Sequence, residues 1–167
     1  MASTFVLGFF PLLMVIAGIG DFFTLRIPNW LNGLIAAAAP VMAAALAMPL
    51  DIMGLHGAAG FIMLLAGMAL FFAGQIGGGD AKLMAAAGLW VGLDPLLPFA
   101  VYTALAGGVL AVIMYGGNRL LTAGELYCPA WLGHLAGKKV QLPYGIAIAA
   151  GALIVFPDTW WFSSTAH

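Results

Sequence analysis

The chain has 167 residues, 64% of them hydrophobic and 7% charged, with a mean hydropathy of +1.10 and a formal net charge of -1. A soluble domain carries roughly a quarter charged residues, so this composition excludes one and defines a polytopic membrane protein. The absence of any basic run excludes nucleic acid as a partner, and the single cysteine, Cys128, excludes an internal disulfide and a cysteine-based zinc cluster.

In chain order, six apolar segments stand out, at about residues 4–23, 30–48, 57–76, 81–93, 96–116 and 143–162. Five approach the roughly 20 residues that cross a ~30 Å hydrocarbon layer. The fourth is short: its ~13 residues rise only ~20 Å. No Lys or Arg precedes the first run, so a secretory signal peptide is not expected. Pro11 and Pro40 fall inside the first two segments, where neighbouring helices absorb the missing donor. Gly60, Gly67 and Gly74 recur every seven residues on the third, a smooth stripe for close helix packing. Gly116-Gly117 offers a stop for the fifth. The long polar connection that follows holds Glu125, Cys128, His134, Lys138 and Lys139, and its Leu and Trp residues suggest a segment along the membrane surface.

The basic residues set an orientation. Alternating crossings put Arg26, Lys82, Arg119, Lys138 and Lys139 on one face, which the positive-inside rule makes cytoplasmic. Asp51, His56, Asp94, Asp158 and His167 then fall outside, and so do both termini. Trp30 is expected at the inner interface, and Trp90, Trp160 and Trp161 at the outer one. The expected fold is therefore all-α, a single membrane domain with six transmembrane helices and a short fourth.

Two carboxylates share the cytoplasmic face. Asp21 sits near the end of the first helix, before Arg26-Ile27-Pro28-Asn29, where Pro28 turns the chain into the second. Asp80 follows Gly77-Gly78-Gly79 at the start of the short fourth helix. If that helix reaches the outer surface, its inner end stops ~10 Å short of the other. Asp80 then lies in a recess lined by glycine backbone, which permits close approach of an extended chain. Such a pair meets the minimum geometry for one carboxyl acting as base toward water and the other as acid toward a peptide. The plainer alternatives are an N-cap for Asp80 and a solvated juxtamembrane charge, paired with Arg26, for Asp21. Cys128 and His134 lack partners at metal-ligand spacing, and no metal or other cofactor is expected.

Asp21 with Arg26-Ile27-Pro28-Asn29, then Gly77-Gly78-Gly79-Asp80-Ala81-Lys82-Leu83, then Leu142-Pro143-Tyr144-Gly145-Ile146-Ala147, together resemble the type IV prepilin peptidases, and among them the short Flp/Tad-type members. The resemblance implies a bacterial inner-membrane aspartyl endopeptidase that cuts a basic cytoplasmic leader from prepilins, with prepilin and membrane lipids as partners. It implies Asp21 and Asp80 as the catalytic pair and Gly77 and Gly79 as the fixed glycines of the GxGD element. Gly78, Lys82, Pro143, Tyr144 and Gly145 are expected around the substrate, with Glu125 drawing the basic leader. Larger members carry an added cytoplasmic domain with paired cysteines and also N-methylate the product. Here a few residues join the first two helices and Cys128 stands alone, so cleavage without methyl transfer is expected. An ion-coupled transporter and a preflagellin-type protease are the rival readings.

Overall fold

Backbone groups in lipid must be paired within their own segment, so apolar runs of this kind fold as helices. A computed structural model describes residues 2–122 and 142–164, and every regular element among them is helical. In order these are α1 (Ala2–Thr24), α2 (Asn29–Ala45), α3 (Leu50–Phe72), α4 (Gly78–Val91), α5 (Leu96–Thr122), α6 (Tyr144–Val155), a 3-10 turn (Phe156–Asp158) and α7 (Trp160–Ser163). By length and composition α1, α3 and α5 suffice to cross a membrane, while α2 and α6 are shorter apolar helices. The protein is an integral membrane protein with the all-α fold expected. Glu125, Cys128 and His134 lie outside the described residues.

Several helix ends differ from expectation, each for a local reason. Helix α3 begins seven residues earlier than expected, at Leu50: Pro49 precedes it as N-cap and Asp51 stands in its first turn, a favourable place for a negative charge. Asp51 and His56 are therefore helical, not loop residues. At its other end Gly74 takes φ +72°, with its N–H on the Phe71 carbonyl and the Gln75 N–H on the Leu70 carbonyl. That is a Schellman stop, so Gly74 terminates the helix, while Gly60 and Gly67 of the same stripe pack against α4. Gly116-Gly117 does not end α5, which continues to Thr122. The last apolar segment is broken at Phe156–Asp158, where Pro157 cannot donate to the preceding turn.

The organising element is α4. Its 14 residues span ~21 Å, short of a ~30 Å hydrocarbon layer. It is buried in the bundle, packed most extensively on α3 and then on α2 and α6, and α6 in turn packs on α1 and α5. Close approach is secured by small residues: a Cβ at Gly67 would stand 2.9 Å from the Ala81 Cα, and one at Gly88 2.9 Å from the Ala59 carbonyl oxygen.

A helix end buried in the bundle leaves its last carbonyls without intrahelical partners or water. Two distant side chains serve them here. His56 Nδ1 bonds the Leu89 carbonyl at 2.8 Å, and Trp161 Nε1 donates to the Trp90 carbonyl at 2.6 Å. Trp90 Nε1 donates in turn to the Ile35 carbonyl of α2. Trp90 and Trp161 are thus not interfacial belt residues: both are buried, their rings 4.9 Å apart, with Phe10 stacked on Trp90 at 4.9 Å. Among the described tryptophans, Trp30 is 66% exposed, as expected of an interface residue, and Trp160 is half-buried.

Candidate active site

Asp21 and Asp80 reach one place from opposite directions along the chain. Asp21 occupies the last turn of α1, and Asp80 the first turn of α4. Between α1 and α2 the chain reverses through Leu25, held at φ +51° with its N–H on the Asp21 carbonyl. This tight turn lays Ile27 against Gly79, where a Cβ would stand 3.3 Å from the Ile27 carbonyl oxygen. A side chain there would push the two motifs apart, which is why glycine suits the position.

Both carboxyls are buried, Asp21 at 3% and Asp80 at 9% exposure. They line two adjoining recesses. The larger, about 610 Å³, is walled by Leu25, Gly74 to Gly77, Tyr115 of α5 and Tyr144 of α6. The smaller, about 280 Å³, is walled by Leu25 to Ile27 and Gly77 to Gly79. Each carboxylate is anchored through one oxygen by a backbone donor. Gly145 N–H donates to Asp21 Oδ2 at 2.7 Å, and Gly77 N–H to Asp80 Oδ2 at 3.0 Å. Asp80 Oδ1 is buried with no protein partner among the described residues. The Asp80–Gly77 bond is the carboxylate half of a capping box, with Gly77 as N-cap and Asp80 three residues on. Asp80 is therefore a cap through one oxygen only, and Asp21 is not a solvated juxtamembrane charge.

The other expected site residues separate into three groups. Gly77 and Tyr144 stand on the cavity wall, and Gly78 and Gly79 on that of the smaller recess. Gly145 acts on Asp21 directly, and buried Pro143 sets the start of α6 that presents it. Lys82 lines neither recess: its Nζ donates to Asn29 Oδ1 at 2.8 Å, tying α4 to the start of α2. Glu125 lies outside the described residues. Sequence reasoning missed Asn32, Leu25 and Tyr115. Asn32 carried a usable signal, being a polar residue inside an apolar run one turn after Pro28; a leucine just past a helix end and a tyrosine within a membrane helix carry none. Among the described residues, no three His, Cys, Asp or Glu side chains gather as a metal-ligand set.

Two buried carboxylates beside a glycine loop, in an all-helical membrane bundle, are the arrangement a membrane-embedded aspartic-type peptidase requires. The chain belongs to the type IV leader peptidase family, whose model matches residues 8–112 and so takes in both aspartates. It is similar to the prepilin leader peptidase/N-methyltransferase of Bacillus subtilis (strain 168), 34% identical over 147 residues that make up 86% of this chain and 52% of that protein. The chain spans about half the length of that curated relative. No solved structure matches it significantly. The Pro143-Tyr144-Gly145 element falls beyond the family match, and its link to the site rests on the Gly145–Asp21 hydrogen bond.

Proposed function

We propose that the protein is an aspartyl endopeptidase of the bacterial inner membrane that removes the basic leader from a Flp-type prepilin at the cytoplasmic face, without N-methylating the product. The observation that carries this reading is the convergence of Asp21 and Asp80, nearly sixty residues apart in sequence, on one cavity wall with one oxygen of each held by backbone. The reading takes six spans, the short α4 among them, with both termini outside, and so assigns that cavity to the inner side; the clustering of His56, Asp94 and Asp158 around a separate pocket, none of whose residues lines either aspartate recess, supports it. The short Leu25–Pro28 reversal and the single cysteine support cleavage alone.

The chemistry needs one ionised and one protonated carboxyl, a state that two close acids favour because both cannot easily ionise. The carboxylate takes a proton from a water held between the pair as its oxygen adds to the scissile carbonyl carbon. The neutral acid gives its proton to the carbonyl oxygen. The resulting tetrahedral diol collapses as the amide nitrogen is protonated and the C–N bond breaks, leaving a carboxylic acid on the leader and a free amine on the pilin. A basic leader is drawn to the net negative site within a Debye length of ~8 Å.

The test is cleavage of a candidate prepilin in detergent by wild type, Asp21→Asn and Asp80→Asn. Loss of either carboxyl removes general acid–base catalysis worth about 10²- to 10⁴-fold. Near-wild-type turnover by either variant ends the dyad reading, and proton flux in liposomes with no cleavage by wild type returns the case to a transporter.

A further inference from the structure

Asp80 stands in a first turn with weak support of its own. Its N-cap and first two helical residues are Gly77, Gly78 and Gly79, and glycine in a helix is less favourable than alanine. Two side chains of α2 reach across to this turn. Asn29 Oδ1 accepts from Lys82 at the exposed edge, and Asn32, 4% exposed, donates Nδ2 to the Gly79 carbonyl at 3.0 Å.

The second bond is not required to satisfy Gly79. As a helical residue, Gly79 has the N–H four positions on, that of Leu83, as its ordinary donor; the amide supplies a second bond to the other lone pair. Nor does the bond complete Asn32, whose Oδ1 is buried with no protein partner among the described residues. An unpaired buried carbonyl is destabilising. A leucine would fill this place in an apolar helix without that penalty. What the amide does that leucine cannot is fix the peptide immediately before Asp80.

We infer that Asn32 is a positioning residue for the catalytic carboxylate: through the Gly79 carbonyl it holds the glycine-rich first turn of α4 against α2, and with it the aim of Asp80. The inference rests on the peptidase reading for its kinetic consequence and on geometry alone for its structural one. Ile27, pressed on the same glycine, supplies the steric half of the clamp.

The experiment compares wild type, Asn32→Leu and Asn32→His in detergent, on a prepilin that wild type cleaves. The histidine Nδ1–H can occupy the place of the amide donor. Turnover, KM, thermal midpoint and amide hydrogen exchange over residues 78–82 are read together. In Asn32→Leu, kcat falls on the order of 10- to 100-fold, as for a misplacement approaching 1 Å. KM stays within about threefold, since substrate binding is untouched. Exchange over residues 78–82 quickens while the midpoint holds, and Asn32→His recovers part of both kcat and protection. Unchanged kcat and exchange in Asn32→Leu overturn the inference, and so does a kcat loss matched by loss of protection throughout the bundle. If wild type cleaves no prepilin, the functional reading fails separately and the exchange at residues 78–82 alone decides the role of Asn32.

Discussion

Gly145→Ala tests how finely Asp21 must be held. A Cβ added at residue 145 would stand 2.8 Å from Asp21 Cβ and 2.9 Å from Asp21 Oδ2. Carbon atoms rest comfortably at about 3.5–4.0 Å, so Asp21 or the start of α6 must yield by more than half an ångström. Neither gives easily. Asp21 is locked in the last turn of α1, and the N–H of residue 145, next to the Cα that would carry the new methyl, is the donor at 2.7 Å to the same carboxylate. Overpacking of this kind is destabilising by ~1–3 kcal/mol. The displaced carboxyl should reduce turnover by up to about 10²-fold, beyond what loss of folded protein explains. The assay is single-turnover cleavage of a prepilin by folded Gly145→Ala, with Gly79→Ala beside it, whose Cβ meets Ile27 at the milder distance of 3.3 Å. Gly145→Ala should be the slower enzyme. Wild-type turnover by Gly145→Ala would refute the claim that α6 sets the aim of Asp21.

Removing the far-end cap should act on stability and not on chemistry. His56→Leu leaves the Leu89 carbonyl unpaired in the core, destabilising the protein by ~1–3 kcal/mol; thermal unfolding in detergent should show the drop, while kcat of the folded fraction holds. Gly74→Ala forces a residue with a Cβ into φ +72°, an unfavourable change of ~1–2 kcal/mol. Because the space around it is open, that loss should come from backbone strain alone, and Gly74→Asn should recover part of it on the same unfolding scan. Lys82→Met breaks an exposed bond to Asn29 and should alter stability by about 1 kcal/mol or less, with cleavage retained, as a charge outside both recesses implies.

Reading the sequence brought Asp21 and Asp80 to one end of the bundle and failed around the helix axes. Depth is written in the spacing of apolar runs and in the basic residues, so Asp21 and Asp80 could be sent to one end, and the shortness of α4 was visible from residue counts. Lateral position is not written there. Trp90 and Trp161, assigned to an aromatic belt, face inward: Trp161 Nε1 serves the Trp90 carbonyl in the last turn of α4, and Trp90 Nε1 reaches the Ile35 carbonyl within α2. His56 was sent to that end by the alternation of crossings, which says nothing of its ring being turned onto the Leu89 carbonyl. The roles of Gly145 and Asn32 depend on contacts spanning 124 and 47 residues, which local pattern does not encode. Helix ends moved where a cap outweighed composition, as at Pro49, or where apolar continuity outweighed a Gly pair, as at Gly116-Gly117.

A capping role and a catalytic role for Asp80 make different demands on its two oxygens. A carboxylate kept only as a cap gains from pairing both, yet Oδ2 alone meets the Gly77 amide, and Oδ1 is buried without a protein partner among the described residues. Left so, it is destabilising by ~1–3 kcal/mol. Asp80→Asn separates the two roles. Its amide oxygen can still accept from Gly77, and its NH₂ introduces no charge beside Asp21. Stability should therefore stay within about 1 kcal/mol of wild type or rise, the range for a cap whose bond survives, while cleavage falls by about 10²- to 10⁴-fold. Parallel unfolding and cleavage measurements on this variant decide between them. If the protein loses stability but keeps its turnover, Asp80 is a structural cap and the water-activating pair must be sought elsewhere.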